Sequence, residues 1–429
     1  MEPCSRAMRT SRKGNVEMPA FMRHLVKETE KRVSSFFKGG RGGAAEGEHP
    51  GEGEREEVIP SPYLDRPVMD KLTEEGCARW GLTYALGSMQ GWRANMEDFH
   101  NCVPQLGGEL ADWSFFAVFD GHAGSTVAQY CSQHLLGQIL ATGGIGPEDD
   151  PERVKGAIID GFLHTDKHLH SVARREGWER GGTTVVAALI SPYYIYFANC
   201  GDSRAMLCRS GQVCFSTEDH KPYCPLEKER IESAGHCVHP KDQRLPGSVS
   251  SSGDFSYKGA ENRMPTEQMV SPEPEVCVVE RSPADEFLVL ACDGVWDIIS
   301  NEELCAFIHN RLSVCTDLRD VCTQVIDLCL YKGSLDNISI ILLCFPGAPQ
   351  LSAEALHQEA ELEDLLESKV AEIYSELCAR GEEPDLLSVL TLLASTVIPG
   401  LPPVEAYRAR HDVRLPRSPA HRHGSMERL

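Results

Sequence analysis

Apolar positions along the chain fall into two kinds of run, and their spacing predicts the elements. Five short stretches are apolar at nearly every position: residues 115–119, 193–198, 205–208, 287–292 and 338–345. Runs of that length, rich in β-branched and aromatic side chains, read as buried strands. Residues 125–140 and 301–312 instead repeat apolar side chains at helical spacing, each after a strand. Ser300 or Asn301 is placed to cap the second of these helices. Gly201-Asp202-Ser203 separates two of the strands and reads as a hairpin turn. Strand-like segments begin near Leu82 and recur to Phe345, so a mixed α/β domain is expected over about residues 77–346.

The flanks read differently. Pro346-Gly347-Ala348-Pro349 breaks the pattern, after which residues 351–377 and 386–394 regain helical periodicity. They predict a small helical appendage over 347–403, followed by a basic, Pro-containing and disordered tail over 404–429. Residues 1–76 look peripheral by composition. Within them Phe21, Met22, Leu25, Val26, Val33, Phe36 and Phe37 share one face of a basic amphipathic helix over 20–37. Such a helix suits a membrane surface, a partner or its own domain. Residues 39–57, rich in Gly and Glu, read as a flexible linker.

Composition narrows the class. At 429 residues, with 41% hydrophobic and 25% charged positions, the chain matches a soluble globular protein with ample core. No apolar run reaches membrane-span length, and no signal-peptide core precedes the domain. A net charge of -22 argues against nucleic-acid partners, because neutralising phosphates needs Lys and Arg. Seventeen cysteines occur without a Cys-x-x-Cys pair, and Cys200, Cys292, Cys329 and Cys344 lie inside apolar runs. Cysteine there serves as a small hydrophobe. A reduced cytoplasmic or nuclear monomer is the expectation.

Four aspartates mark the places where apolar strands meet turns: Asp120, Asp202, Asp293 and Asp336. A carboxylate delivered at the tip of a buried strand is costly unless something positive meets it. Several such tips together suit a hard divalent cation, which takes oxygen ligands. Any one Asp-Gly pair is ordinary turn chemistry. The combination carries more: Asp120-Gly121-His122-Ala123-Gly124, Asp293-Gly294-Val295-Trp296-Asp297, Gly201-Asp202-Ser203-Arg204 and Asp336-Asn337. Gly181-Gly182-Thr183-Thr184 reads as packing and turn chemistry, and His164, His168 and His170 as solvated helix surface.

Adding Gly91-Trp92-Arg93-Ala94-Asn95-Met96-Glu97-Asp98, the chain resembles the metal-dependent Ser/Thr protein phosphatase 2C family, most closely its alpha and beta branch. The resemblance covers residues 82–345 and continues to Pro403. It implies an α+β fold, a central antiparallel β-sandwich flanked by helices, with a small C-terminal helical subdomain. It also implies hydrolysis of phosphoserine and phosphothreonine in phosphoprotein substrates by a hydroxide bridging two Mg²⁺ or Mn²⁺ ions. Asp120 is then expected to bridge both ions, Asp293 and Asp336 to bind one, and the carbonyl of Gly121 the other. Glu97 and Asp98 would hold waters on the ions, and Asp202 and Asp297 a weaker third ion. Arg93 would clamp the phosphate and His122 protonate the leaving group. The chemistry is consistent: attack on an anion needs positive charge, Arg suits bidentate grip on phosphate, and an alkoxide needs an acid.

One stretch departs from the family. Between Gly235 and Asp254 an apolar strand and a motif like Gly-Ser-Leu-Ala-Val-Ser-Arg-Ala-Leu-Gly are expected; the chain reads HCVHPKDQRLPGSVSSSG instead. That string is polar, Pro-broken and poor in β formers, so it suits no central strand. Synonymous codons for 236–253, read one nucleotide later, can spell TVSIQRINGSLAVSRALG. A locally shifted frame is the expectation, and transcript sequence across 234–255 checks it; codons incompatible with the second frame sink it. As written, the segment removes buried apolar residues and the motif's arginine, which motivates an alternative: a catalytically impaired scaffold on the same fold. A cysteine-phosphatase loop starting at Cys237 is excluded, because Gln243 stands where its arginine must be.

Overall fold

A computed structural model gives the fold; it describes residues 61–380 apart from 179, 237–248 and 261, together with residues 389 and 392. The strands in chain order begin with β1 (Tyr63–Cys77), β2 (Thr83–Arg93), β3 (Phe99–Val103), β4 (Ser114–His122), β5 (Gly182–Ile190) and β6 (Tyr194–Cys200). They continue with β7 (Arg204–Arg209), β8 (Gln212–Ser216), β9 (Ser252–Gly253), β10 (Glu275–Glu280), β11 (Asp285–Ala291) and β12 (Ile338–Cys344). The helices are α1 (Thr126–Ala141), α2 (Pro151–Glu176), α3 (Pro225–Ser233), α4 (Asp293–Trp296), α5 (Asn301–Val314), α6 (Leu318–Lys332) and α7 (Ala353–Ala379).

Two antiparallel sheets stack face to face. One has the order β1-β2-β12-β11-β7-β8, the other β10-β6-β5-β4-β3, with β9 pairing β5. Alternation along each strand explains the apolar runs. Phe116 and Val118 of β4 pack between the sheets with Leu288, Leu290, Ile341 and Leu343. Their neighbours Phe115, Ala117 and Phe119 face α1 and α2 with Leu135, Ile158 and Phe162. On the other sheet Val289, Ile340 and Leu342 face α5 and α6 with Leu304, Ile308 and Val325. Both faces of the central strands are therefore covered, and a period-2 pattern has no polar face to reveal. The result is a helix–sheet–sheet–helix stack.

The helices expected over 125–140, 301–312 and 351–377 form. Ser300 caps α5, its hydroxyl accepting from Glu303 N while Glu303 returns to Ser300 N. Helix α7 matches the periodicity read over 351–377. By contacts the described residues divide into two units, one up to residue 368 and the other from 369 onward. The amphipathic helix expected over 20–37, the 39–57 linker and the 404–429 tail lie outside the described residues. Of the second appendage helix only Val389 and Leu392 are described, both helical.

Two expectations are corrected. Gly201-Asp202-Ser203 is no hairpin: β6 belongs to one sheet and β7 to the other, so the turn carries the chain across the sandwich. Gly201 takes φ 130° there, with Thr184 where a Cβ would sit. Two adjacent β-rich runs with a glycine turn look alike whether they pair or switch sheets. Second, the domain does not begin at 77, because β1 pairs with β2 along the sheet edge. Asp65, Arg66, Asp70, Glu74 and Glu75 are exposed along it, Lys71 turns toward α6 and meets Asp327 at 2.7 Å, and its pairing shifts register around Pro67 and Val68. A charged, Pro-containing edge strand carries the composition of a linker.

Candidate metal centre

Strand pairing explains why the acids converge. Ala291, the last residue of β11, lies opposite both Ile340 of β12 and Arg204 of β7. Asp293 therefore leaves its strand where Asp336 and Asp202 enter theirs. In the second sheet Asp120 lies opposite Thr184, next to the Val185–Cys200 pair that ends β6. Arg93 extends beyond the Met89–Ile338 pair and so reaches Asp336. One end of the sandwich thus gathers residues spread over more than two hundred positions.

The resulting acid cluster is dense. Ligating atoms of Asp98, Asp120 and Cys292 lie within 4.8 Å of one another. Burial, then Asp293, Asp98, Asp202 and Asp336, push the Asp120 carboxyl well above the usual range. Burial, then Asp202, Asp336 and Asp297, do the same to Asp293. Asp98 is pushed up to about 6 by burial, even though Ser339 Oγ donates to its Oδ2 at 2.6 Å. Its Oδ1 is buried without a hydrogen-bond partner among the described residues. An orphaned carboxylate oxygen in a nest of carboxylates is the donor set of a hard divalent cation, and the residues fit one.

Other contacts hold the loops in place. Asn337 Oδ1 accepts from Glu97 N, while its Nδ2 donates to the Gln90 and Asn95 carbonyls, tying the Arg93–Asp98 loop to β12. Glu97 Oε1 accepts from Gly124 N at 3.0 Å. Gly121 is obligatory, because a Cβ there would run into the Glu97 carbonyl and Ala128. Thr183 Oγ1 donates to the Asp120 carbonyl at 3.0 Å, so Thr183 braces the centre as well as packing. Asp297 is exposed at the rim; partial desolvation on its cleft side and Asp202 raise its carboxyl pKa, and Lys221 opposes them.

Three placements go beyond the sequence reading. Arg93 grips Asp336 with both Nε and Nη2, at 2.7 and 2.5 Å, rather than facing open cleft alone. In a pocket of acids the guanidinium takes the adjacent carboxylate, and its remaining N–H donors stay available. Lys221, not singled out from sequence, sits 2.6 Å from Asp202 Oδ2. Cys292, read as a small hydrophobe, is that, but it also accepts from Ser339 N and donates to the Asn337 carbonyl. Burial and nearby acids hold its thiol neutral by raising its pKa.

His122 Nε2 meets Asp254 Oδ2 at 2.7 Å. Burial alone would lower the imidazole pKa, but the Asp254 bond outweighs it and raises it. Asp254 was missed because its only sequence signal was an ordinary Gly-Asp turn beside the departing segment. Within that segment residues 237–248 lie outside the described residues; of the rest, Ser250, Ser251 and Ser252 are buried, and Ser252–Gly253 pairs with β5.

Comparison with known proteins agrees with the geometry. The family model described as "Protein phosphatase 2C" matches residues 82–338, and "Protein serine/threonine phosphatase 2C, C-terminal domain" matches 339–413. Protein phosphatase 1B of Rattus norvegicus is 51% identical over 355 residues, covering 80% of this chain and 90% of that protein. Protein phosphatase 1A of Mus musculus is 52% identical over 349 residues, with the same coverage. Among solved structures, a phosphatase from a pathogenic strain of Toxoplasma gondii aligns with TM-score 0.55 and 24% identity. That alignment covers 64% of this chain and 96% of the other.

Proposed function

The chain belongs to the protein phosphatase 2C family and is a metal-dependent protein serine/threonine phosphatase, and we propose that its cleft acids hold two divalent cations, Mg²⁺ or Mn²⁺. The observation that carries this reading is the mutually repelling set of buried Asp98 and half-buried Asp120 and Asp293, with one oxygen of Asp98 unpartnered among the described residues. When bound, the ions supply positive charge to the phosphate and lower the pKa of water, so that hydroxide is available at neutral pH.

The chain's own residues divide the remaining work. Asp120, Asp293, Asp336 and the Gly121 carbonyl would hold the two ions. Glu97 and Asp98 would order water beside them. Asp202 and Asp297 offer a weaker third position, and Lys221 supports that weakness, since an ammonium 2.6 Å from Asp202 competes with any cation there. Arg93 turns its remaining N–H donors to the phosphate while Asp336 fixes the guanidinium plane. His122 gives its proton to the departing serine or threonine oxygen. We further infer a monomer of the cytoplasm or nucleus acting on phosphoproteins, on the sequence reading above.

The scaffold alternative is not favoured, since the cleft acids, Arg93 and His122 stand together and relatives at 51% identity are named protein phosphatases. Chelation gives the test. EDTA is expected to reduce hydrolysis of p-nitrophenyl phosphate to background, and added Mn²⁺ to restore it. Activity that persists through chelation rules out the assigned centre.

A further inference from the structure

We propose that Asp254 is the positioning residue for His122: by holding Nε2 it leaves Nδ1 as the nitrogen that protonates the leaving oxygen. The inference rests on the reading of His122 as proton donor and names how this chain aims it. Asp254 is 3% exposed and meets His122 Nε2 at 2.7 Å. Its Oδ2 also accepts from Ser251 Oγ at 2.6 Å, and its N donates to the Gly181 carbonyl at 2.9 Å. His122 Nδ1 meets no hydrogen-bond partner among the described residues, and the side chain is 41% exposed toward solvent.

The surroundings are built for this contact. Asp254 adopts φ 54°, ψ 39°, the left-handed region that costs most residues energy and that Asp and Asn tolerate best. Strain of this kind persists where surrounding structure enforces it. Here the enforcement is visible: Gly253, at φ 86°, pairs with Gly182, and a Cβ on Gly182 would occupy the space of both the Asp254 carboxylate and the His122 ring. Lys258, 5% exposed, anchors the same loop from below through Asp166 Oδ1 and the Ser251 carbonyl. Two glycines thus let a strand tip and a strained turn bring a carboxylate against an imidazole.

The step balances simply. As the phosphorus–oxygen bond to the serine or threonine breaks, the bonding pair stays on the leaving oxygen. The Nδ1 proton moves to that oxygen, and the neutral ring keeps its Nε2 proton on Asp254. Without Asp254 the ring is free to rotate and either nitrogen can face the cleft, so fewer encounters place a proton on the leaving group.

The experiment compares the full-length chain with D254N, H122Q and the double variant, loaded with Mn²⁺, on a phosphothreonine peptide and on p-nitrophenyl phosphate. Asn keeps the left-handed backbone and removes the charged acceptor. D254N is expected to lower kcat on the peptide by roughly 10–100-fold, with KM within about twofold. Its loss on p-nitrophenyl phosphate should be several-fold smaller, because nitrophenolate departs without a proton. The double variant should be no slower than H122Q. S251A, which loosens Asp254 without touching His122, should show the same substrate-selective pattern in weaker form, and serves if D254N unfolds. Equal losses on both substrates for D254N and S251A, with H122Q still selective, would overturn the role of Asp254 alone. Equal losses for H122Q itself would overturn the proton-donor reading beneath it.

Discussion

Asp293→Ala is expected to lower Mn²⁺-dependent hydrolysis of p-nitrophenyl phosphate by on the order of 10³-fold or more, with the chain still folded. The residue leaves β11 directly into the acid cluster and is surrounded electrostatically by Asp202, Asp336, Asp297 and Asp98. On the proposed assignment, removing it takes away one anionic ligand from the ions whose charge the phosphate requires. It is also a structural relief, since one fewer carboxylate must be buried among its like. A loss of activity caused by unfolding is therefore separable by circular dichroism. Equal rates in variant and parent contradict the assigned centre. Absence of activity in both revives the scaffold reading.

Asp120→Asn should stabilise the metal-free chain in EDTA at pH 8, raising the melting temperature by about 5 °C. Asp120, Asp293 and Asp98 all have carboxyl pKa values raised by burial and mutual repulsion, Asp98 to about 6. A folded-state pKa above the unfolded value means that the folded chain binds the proton more tightly. The stability that this contributes is complete below the unfolded carboxyl pKa, about 4, and is lost as pH rises through about 6 and beyond. The advantage of the variant should shrink accordingly between pH 8 and pH 4. Saturating Mn²⁺ reverses the order, because the parent binds the ion more tightly and gains more from it. A variant that melts lower than its parent in EDTA at pH 8 contradicts the picture of a repelling acid cluster.

The departing segment illustrates a boundary between the two kinds of information. In the sequence it is a polar string where a β-rich one is expected. In the structure its described end supports the centre: Ser251 donates to Asp254, and Ser250 Oγ lies 3.3 Å from Glu227 Oε2. The shifted frame would put Arg at 250, Ala at 251 and Leu at 252. The Asp254 anchor from position 251 would vanish, while an arginine would face Glu227. The shifted frame would therefore exchange one support of the His122–Asp254 pair for another at Glu227.

Strand identity, helix starts and the strand-tip positions of the aspartates were legible because each is local. Apolar runs report burial, Ser300 with Glu303 reports a cap, and a carboxylate at a strand tip reports an unmet charge. What misled was equally local: a glycine turn between β6 and β7 looks like a hairpin, and a charged edge strand such as β1 looks like linker. Partner choice across a turn depends on which sheet has room for the next strand, and nothing in adjacent residues encodes that.

By itself, then, the sequence determined which side chains would be buried, where strands end and which carboxylates stand at strand tips, since hydrophobic burial and charge desolvation act residue by residue. Only the tertiary structure decided that Arg93 leans on Asp336, that Lys221 shields Asp202 and that Asp254 holds His122. Those pairings join positions 19, 132 and 243 residues apart. Hydrogen bonds need donor and acceptor within about 3 Å. That proximity is a property of the packed sandwich and its strand register, not of any stretch of chain.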